Sequence, residues 1–167
     1  MNEHTTDKRM GFTDHEWNLL VGLPEAIVIA ASSVQPDSAR RTQAESDAGH
    51  EAISVGRESA SPLVNAVAVE LIARVGDPET GETPDAIHPS DPQATAKDAL
   101  SRATEAVVLL RGRVDIGEAG AYRHWLVSIA DAVITASRSG GALGLGGDQV
   151  TEVERQFRDE LASALSD

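Results

Sequence analysis

The chain contains no cysteine, which excludes disulfides, thiolate metal ligands and cysteine nucleophiles together. Aromatic residues make up only 3% of it, so the core has to be built from Ala, Val, Leu and Ile, with Trp17, Trp125, Tyr122 and the two Phe as its large anchors. Lysine is scarce: Lys8 and Lys97 stand against twelve arginines. Long apolar runs are missing too. Stretches such as Ala26 to Ala31 and Ala66 to Val69 fall far short of the roughly 18 residues that a membrane span needs. The opening MNEHTTDKRMGF has no apolar stretch after Lys8 and Arg9, so it does not read as a secretory signal. These absences predict a soluble, cytoplasmic protein.

What is abundant is negative charge. The sequence carries 27 acids and 14 bases, a formal net charge of -13. A surface of that sign argues against nucleic acid as a partner, because duplex binding needs basic residues to displace counterions. An acid-rich, lysine-poor composition is also suited to concentrated salt, where the Debye length shrinks to about 3 Å at 1 M and self-repulsion is screened. The sequence therefore reads as adapted to high salt.

The 167 residues suffice for one domain with its own core. Thr13-Asp14-His15-Glu16 has the form of a capping box, with Phe12 as its staple. Trp17, Leu20, Val21, Ile27, Val28, Ala31 and Val34 then recur at helical spacing. Gly22 and Pro24 interrupt this stripe, which predicts a kink or two short helices meeting near Leu23, closed by Pro36. A small-residue segment, 37–60, reads as helix with Ala48, Ala52, Val55 and Ser59 on its narrow apolar stripe. Ser61-Pro62 opens a third helix, Leu63 to Val75, so apolar that it is expected at the centre of the domain. Gly76 to Pro89 is a turn-rich acidic loop, expected to be solvated and mobile. Ser90 or Asp91 caps a helix running to about Arg113. Ile116 to Gly120 starts another, whose stripe is Tyr122, Leu126, Ile129, Val133 and Ala136. After a glycine-rich hairpin, Thr151-x-x-Glu154 is a second capping box, followed by Val153, Phe157, Leu161 and Ala164 or Leu165. No hairpin-strand signal exists. The fold expected is all-α: a disordered tail over 1–11 and a single-domain antiparallel bundle of five or six helices over 12–167.

The candidate sites are few. Glycines 140, 141, 144, 146 and 147 lie before a helix, where backbone amides can be offered to an anion, so Gly146 and Gly147 are candidate ligand contacts. The spacing fits neither a Walker loop nor a dinucleotide fingerprint, and Asp148 would repel a phosphate. Positive φ at a helix end, with Leu143 and Leu145 plugging the bundle base, is the plainer use of these glycines. His124, Ser128 and Asp131 share a helical face and are candidate ligand-binding residues, although side chains aligned along one axis do not converge as a catalytic triad must. His50, Glu51 and His124 are the candidate metal ligands. The Glu-x-x-His pairs of di-iron bundles are absent, and no cofactor is expected. The acids Asp77, Glu79, Glu82 and Asp85 lack the order of a calcium loop. Trp17 and Trp125, each near a helix start, are candidate interface anchors.

Tyr122-x-x-Trp125-Leu126-x-x-Ile129-Ala130 and Gly140-Gly141-x-Leu143-Gly144-x-Gly146-Gly147-x-x-Val150-Thr151-x-x-Glu154 resemble the tail of a group of small, all-helical prokaryotic proteins of uncharacterised function. The resemblance covers about 45 residues and implies a helical fold and no activity. Gly147 to Glu154 is also similar to a turn into a helix in tellurite-resistance-type helical domains; the Asp-Gly order of that turn is not kept, and no metal ligand carries across. The functional expectation is a non-enzymatic bundle acting through protein contacts, as a homo-oligomer, with a metal- or small-ligand-binding bundle as the alternative. The charge reading has a direct check: the melting temperature should climb from low to molar salt, and a flat response overturns the halophilic assignment.

Overall fold

A computed structural model gives the fold and describes residues 9–35, 37–139 and 150–166. Residues 1–8, Pro36 and the glycine hairpin with its Leu143 and Leu145 lie outside the described residues. Among those described there are six α-helices and no strand: α1 (Asp14–Ser33), α2 (Ala39–Val55), α3 (Pro62–Val75), α4 (Pro92–Leu110), α5 (Ile116–Ser139) and α6 (Glu152–Ala164). Short 3-10 turns follow α2 at Gly56–Glu58 and α3 at Pro78–Thr80. The chain is an all-α, single-domain bundle, and no helix among the described residues is long and apolar enough to cross a membrane.

The helix starts follow the capping chemistry of the sequence. At α1 the Thr13 hydroxyl accepts from the Glu16 N–H (3.2 Å) and the Glu16 carboxylate accepts from the Thr13 N–H (2.8 Å), while Phe12 stacks on Trp17 at 6.3 Å between ring centroids. Thr151 and Glu154 repeat the reciprocal cap on α6, and Ser61 and Asp91 cap α3 and α4. Each cap satisfies amides that the first helical turn leaves without partners. Arg9 to Phe12 already form a turn, closed by the Phe12 N–H on the Arg9 carbonyl at 3.0 Å, so the expected disordered tail of 1–11 does not extend through residues 9–11.

The first helix, not the third, is the centre of the bundle. It packs against every other helix and buries Trp17, Leu20, Leu23 and Ile27. Helix α3 lies at the side, with Val69 half exposed. Pro24 sits inside α1, which nevertheless runs as one helix and not two. Proline has no N–H for the carbonyl four residues earlier, which here is that of Leu20. The phenol of Tyr122, wholly buried on α5, donates to that carbonyl at 2.7 Å, so the donor missing from the helix arrives from its neighbour.

Helix α2 wedges against α1 and α5, and Gly49 sets how closely. A Cβ at this position would stand 2.7 Å from a methyl of Val28 and 2.8 Å from one of Val133. The buried face of α2 is Thr42, Glu45, Ser46, Gly49, His50 and Ile53, not the stripe of Ala48, Ala52, Val55 and Ser59 that the apolar residues suggest; Val55 is 69% exposed. The acidic loop is also anchored and not free. Arg57 grips Asp77 through two bonds of 2.8 and 3.1 Å, and Gly76, at φ 115, brings the Glu82 carbonyl to where a Cβ would be. The Gln43 amide donates to the Pro84 carbonyl (3.2 Å) and accepts from the Ala86 N–H (2.8 Å).

The Pro24–Tyr122 relation predicts a specific coupling. Tyr122→Phe should cost about 1–3 kcal/mol by leaving the Leu20 carbonyl buried and unpaired. In a Pro24→Ala background, where an N–H is restored, the same change should cost less than about 1 kcal/mol. Denaturant titration of the four proteins checks it, and additive effects would show that Tyr122 does not replace the missing donor.

Candidate functional site

The interior of α2 carries the molecule's unusual electrostatics. His50 is 3% exposed. Its Nδ1 lies 2.8 Å from the Ser46 carbonyl, which only accepts, so Nδ1 bears the proton. Its Nε2 lies 2.7 Å from the Glu25 carboxylate on α1. Burial alone would lower the His50 pKa; the hydrogen bond and charge of Glu25, with smaller help from Ser46 and Asp47, outweigh it and raise the value. The imidazolium form, donating at both ends, ties α2 to α1.

Glu45 is the stranger group. It is 3% exposed, and its Oε1 has no hydrogen-bond partner among the described residues. Loss of water pushes its pKa up to about 8, and the neighbouring charges of Glu154 and Asp37 add to this while Arg41 opposes it. Glu154 comes from α6, where its carboxylate is engaged in the cap on Thr151 (2.9 Å). A neutral Glu45 avoids placing a second buried charge beside it.

The residues singled out from sequence are not gathered into one site. His124 and Ser128 are exposed on α5; the Ser128 hydroxyl donates to the Trp125 carbonyl at 2.6 Å, and Asp131 accepts from Arg158 at 2.9 Å. The row runs along the helix without converging. His50 is committed to Glu25, and Glu51 is exposed. Among the described residues no group of three or more His, Asp or Glu is placed to hold a metal ion, which corrects the set His50, Glu51 and His124. Trp17 and Trp125 are corrected as surface anchors: both are buried, their indoles donating to Glu70 and to the Ala52 carbonyl. A large ring near a helix start served the core instead. Gly146 and Gly147 lie outside the described residues.

The chain matches no family model, no curated protein and no solved structure. Its geometry is therefore the source of any functional reading. Sequence inspection passed over Glu25 and Glu45, although the spacing of Thr42, Glu45, Ser46, Gly49 and Ile53 is that of a helical face.

An apolar groove lies elsewhere, between α4 and α6. It has a volume of about 400 Å³ and is floored by Val34, Ala96, Leu100, Val153 and Phe157. Gln93, Lys97, Gln156 and Glu160 form its polar rim. Val153, which belongs to the expected buried stripe of α6, is 46% exposed and opens into this groove.

Glu45 and His50 give the stability a definite pH dependence. Between 4.5, the ordinary carboxyl value, and about 8, the folded chain retains a proton on Glu45 that the unfolded chain has released, so stability falls as pH rises through that window. His50, also raised, adds loss of the same sign above its ordinary 6.5. Glu45→Gln keeps the neutral form at every pH. Its melting temperature should exceed that of the parent by at least about 4 °C at alkaline pH and match it near pH 4.5. Parallel curves for the two proteins would remove Glu45 as the titrating group.

Proposed function

We propose that the protein is a non-enzymatic helical bundle that acts through protein–protein contacts, the first of them with a second copy of itself. The groove between α4 and α6 carries this reading: Val153 and Leu100 give it an apolar floor open to solvent, inside a polar rim. An apolar centre with a polar border is the anatomy of a protein interface. A two-fold axis over the groove would set Lys97 of one copy against Glu160 of the other, as an isologous contact requires.

Charge governs the assembly. Two copies, each of formal charge -13, repel one another in dilute buffer and are screened in molar salt. The reading is of a salt-adapted, cytoplasmic protein whose pairing strengthens with salt, with no nucleic acid among its partners. The groups buried on α2 support an architectural and not a catalytic role, since Glu25 and His50 spend their hydrogen bonds on joining two helices.

Light scattering behind size exclusion tests the contact. A dimer is expected in molar salt at high micromolar chain concentration, with dissociation at low salt while helicity persists. Leu100→Glu or Val153→Glu should give monomers in molar salt with unchanged helical content. A wild-type monomer throughout, or variants that still dimerise, would refute self-association through this groove.

A further inference from the structure

Two helices bring buried carboxyl groups to the same end of α5. Helix α2 runs antiparallel to α5, with Gly56 against Trp125 and Gly49 against Val133. Glu45, one turn earlier on the same buried face of α2, therefore lies toward the C-terminal turns of α5. Helix α6 is antiparallel to α5 as well: Arg123 donates to the Leu165 carbonyl at 3.4 Å and Arg158 to Asp131 at 2.9 Å. That register carries Glu154, one turn before Arg158, to the same end. Glu45 and Glu154 are each 3% exposed, and the charge of Glu154 acts on Glu45.

The two acids are held differently. The Glu154 carboxylate accepts from the Thr151 N–H at 2.9 Å, and its own N–H donates to the Thr151 hydroxyl at 3.2 Å. Glu45 Oε1 has no partner among the described residues. Of the charged groups around Glu45, Glu154 from α6 and Asp37 ahead of α2 oppose its ionisation, and Arg41 favours it. Arg41 is itself bonded to both oxygens of Asp37 at 3.2 Å. The acid that α1 turns toward α2, Glu25, is bonded to His50, and Asp131 of α5 to Arg158. A carboxylate formed on Glu45 would thus lack water and stand beside a second buried negative charge.

The anchoring of α6 decides where that repulsion is relieved. Its later turns, and the residue that follows them, are fixed by Phe157, Leu161 and Leu165, all buried. In its first turn Glu152, Val153 and Arg155 are exposed, and Glu154 alone is buried. No apolar side chain of that turn resists its leaving. Val153, next to Glu154, and Gln156 belong to the α6 wall of the groove between α4 and α6.

We propose that Glu45 and Glu154 form a proton-controlled seat for the first turn of α6: with a proton on Glu45 the turn stays seated, and loss of that proton to solvent drives Glu154 outward and displaces Val153 from the groove wall. The release belongs to alkaline solution, because Glu45 holds its proton up to about 8. Its consequence for self-association rests on the groove reading above: pairing weakens as the wall moves, even in molar salt.

Methyl spectra of the isotopically labelled full chain, recorded in molar salt from about pH 6.5 to about 9.5 at a dilution that keeps it monomeric, test the seat directly. The Val153 and Leu161 methyls should shift in one step with a midpoint near 8, while those of Val67 on α3 stay in place. Glu45→Gln should abolish the α6 step. Glu154→Gln, whose amide oxygen can still accept from the Thr151 N–H, should reduce the step at least about twofold, since the second charge is gone. Should Glu154→Gln loosen the cap, Glu45→Gln decides alone. In light scattering at high concentration the dimer dissociation constant should rise at least about tenfold from pH 7 to pH 9 in the parent and stay level in Glu45→Gln. Unmoved Val153 methyls, or a step that survives Glu45→Gln, would overturn the seat. A moving Val153 with pairing equally tight at both pH values would overturn its control of the groove. A parent that is monomeric at every pH would refute the pairing alone, with the methyl step still deciding the seat.

Discussion

The bundle depends on one hydrogen bond that crosses between helices. Pro24 deprives the Leu20 carbonyl of its normal donor in the middle of α1, the helix that touches all the others, and the Tyr122 phenol replaces it at 2.7 Å. This is the sole tyrosine in the chain. Burial pushes its phenol well above the ordinary value, so it donates without ionising. The bond fixes α5 on α1 in both rotation and height. Helix α2 then enters the notch between them, and Gly49 permits the approach because any Cβ would meet Val28 and Val133.

Local chemistry was easier to read than placement. The caps at Thr13, Ser61, Asp91 and Thr151 are short-range devices, each complete within four residues, so their spacing in the chain reveals them. The side on which a helix lies depends on remote partners. The third helix reads as central because nearly every position is apolar; yet Val69 faces outward, and α1 takes the centre with the help of a tyrosine about a hundred residues away. Helix α2 buries a different face from its apolar stripe for the opposite reason. Its inward residues are polar, and they are affordable only because Glu25 answers His50 and Glu45 keeps a proton. The tryptophans show the same limit: a large ring suits a core and an interface equally, and only its neighbours decide.

The protein treats its carboxyl groups in two ways. Some of those outside are answered by arginine: Arg57 and Arg113 draw the carboxyl values of Asp77 and Glu16 down. Glu45, inside, is held neutral by lack of water. Salt acts on the first population alone, because mobile ions screen exposed charges and leave the cost of desolvation nearly intact. Salt and pH are thus two independent handles on one acidic chain.

The Gln43 clamp has a consequence for how the acidic loop can vary. The side-chain amide offers one acceptor and one donor, as a peptide unit does, and meets the Pro84 carbonyl and the Ala86 N–H. The loop is therefore paired through its main chain, like a strand laid beside a single borrowed amide. Nothing in that pairing reads the side chain of Asp85. Over residues 84–86 the loop's path is held by one glutamine on a neighbouring helix, so Asp85 can change without disturbing that pairing, whereas Gly76 and Asp77 at the loop's start cannot be exchanged so freely.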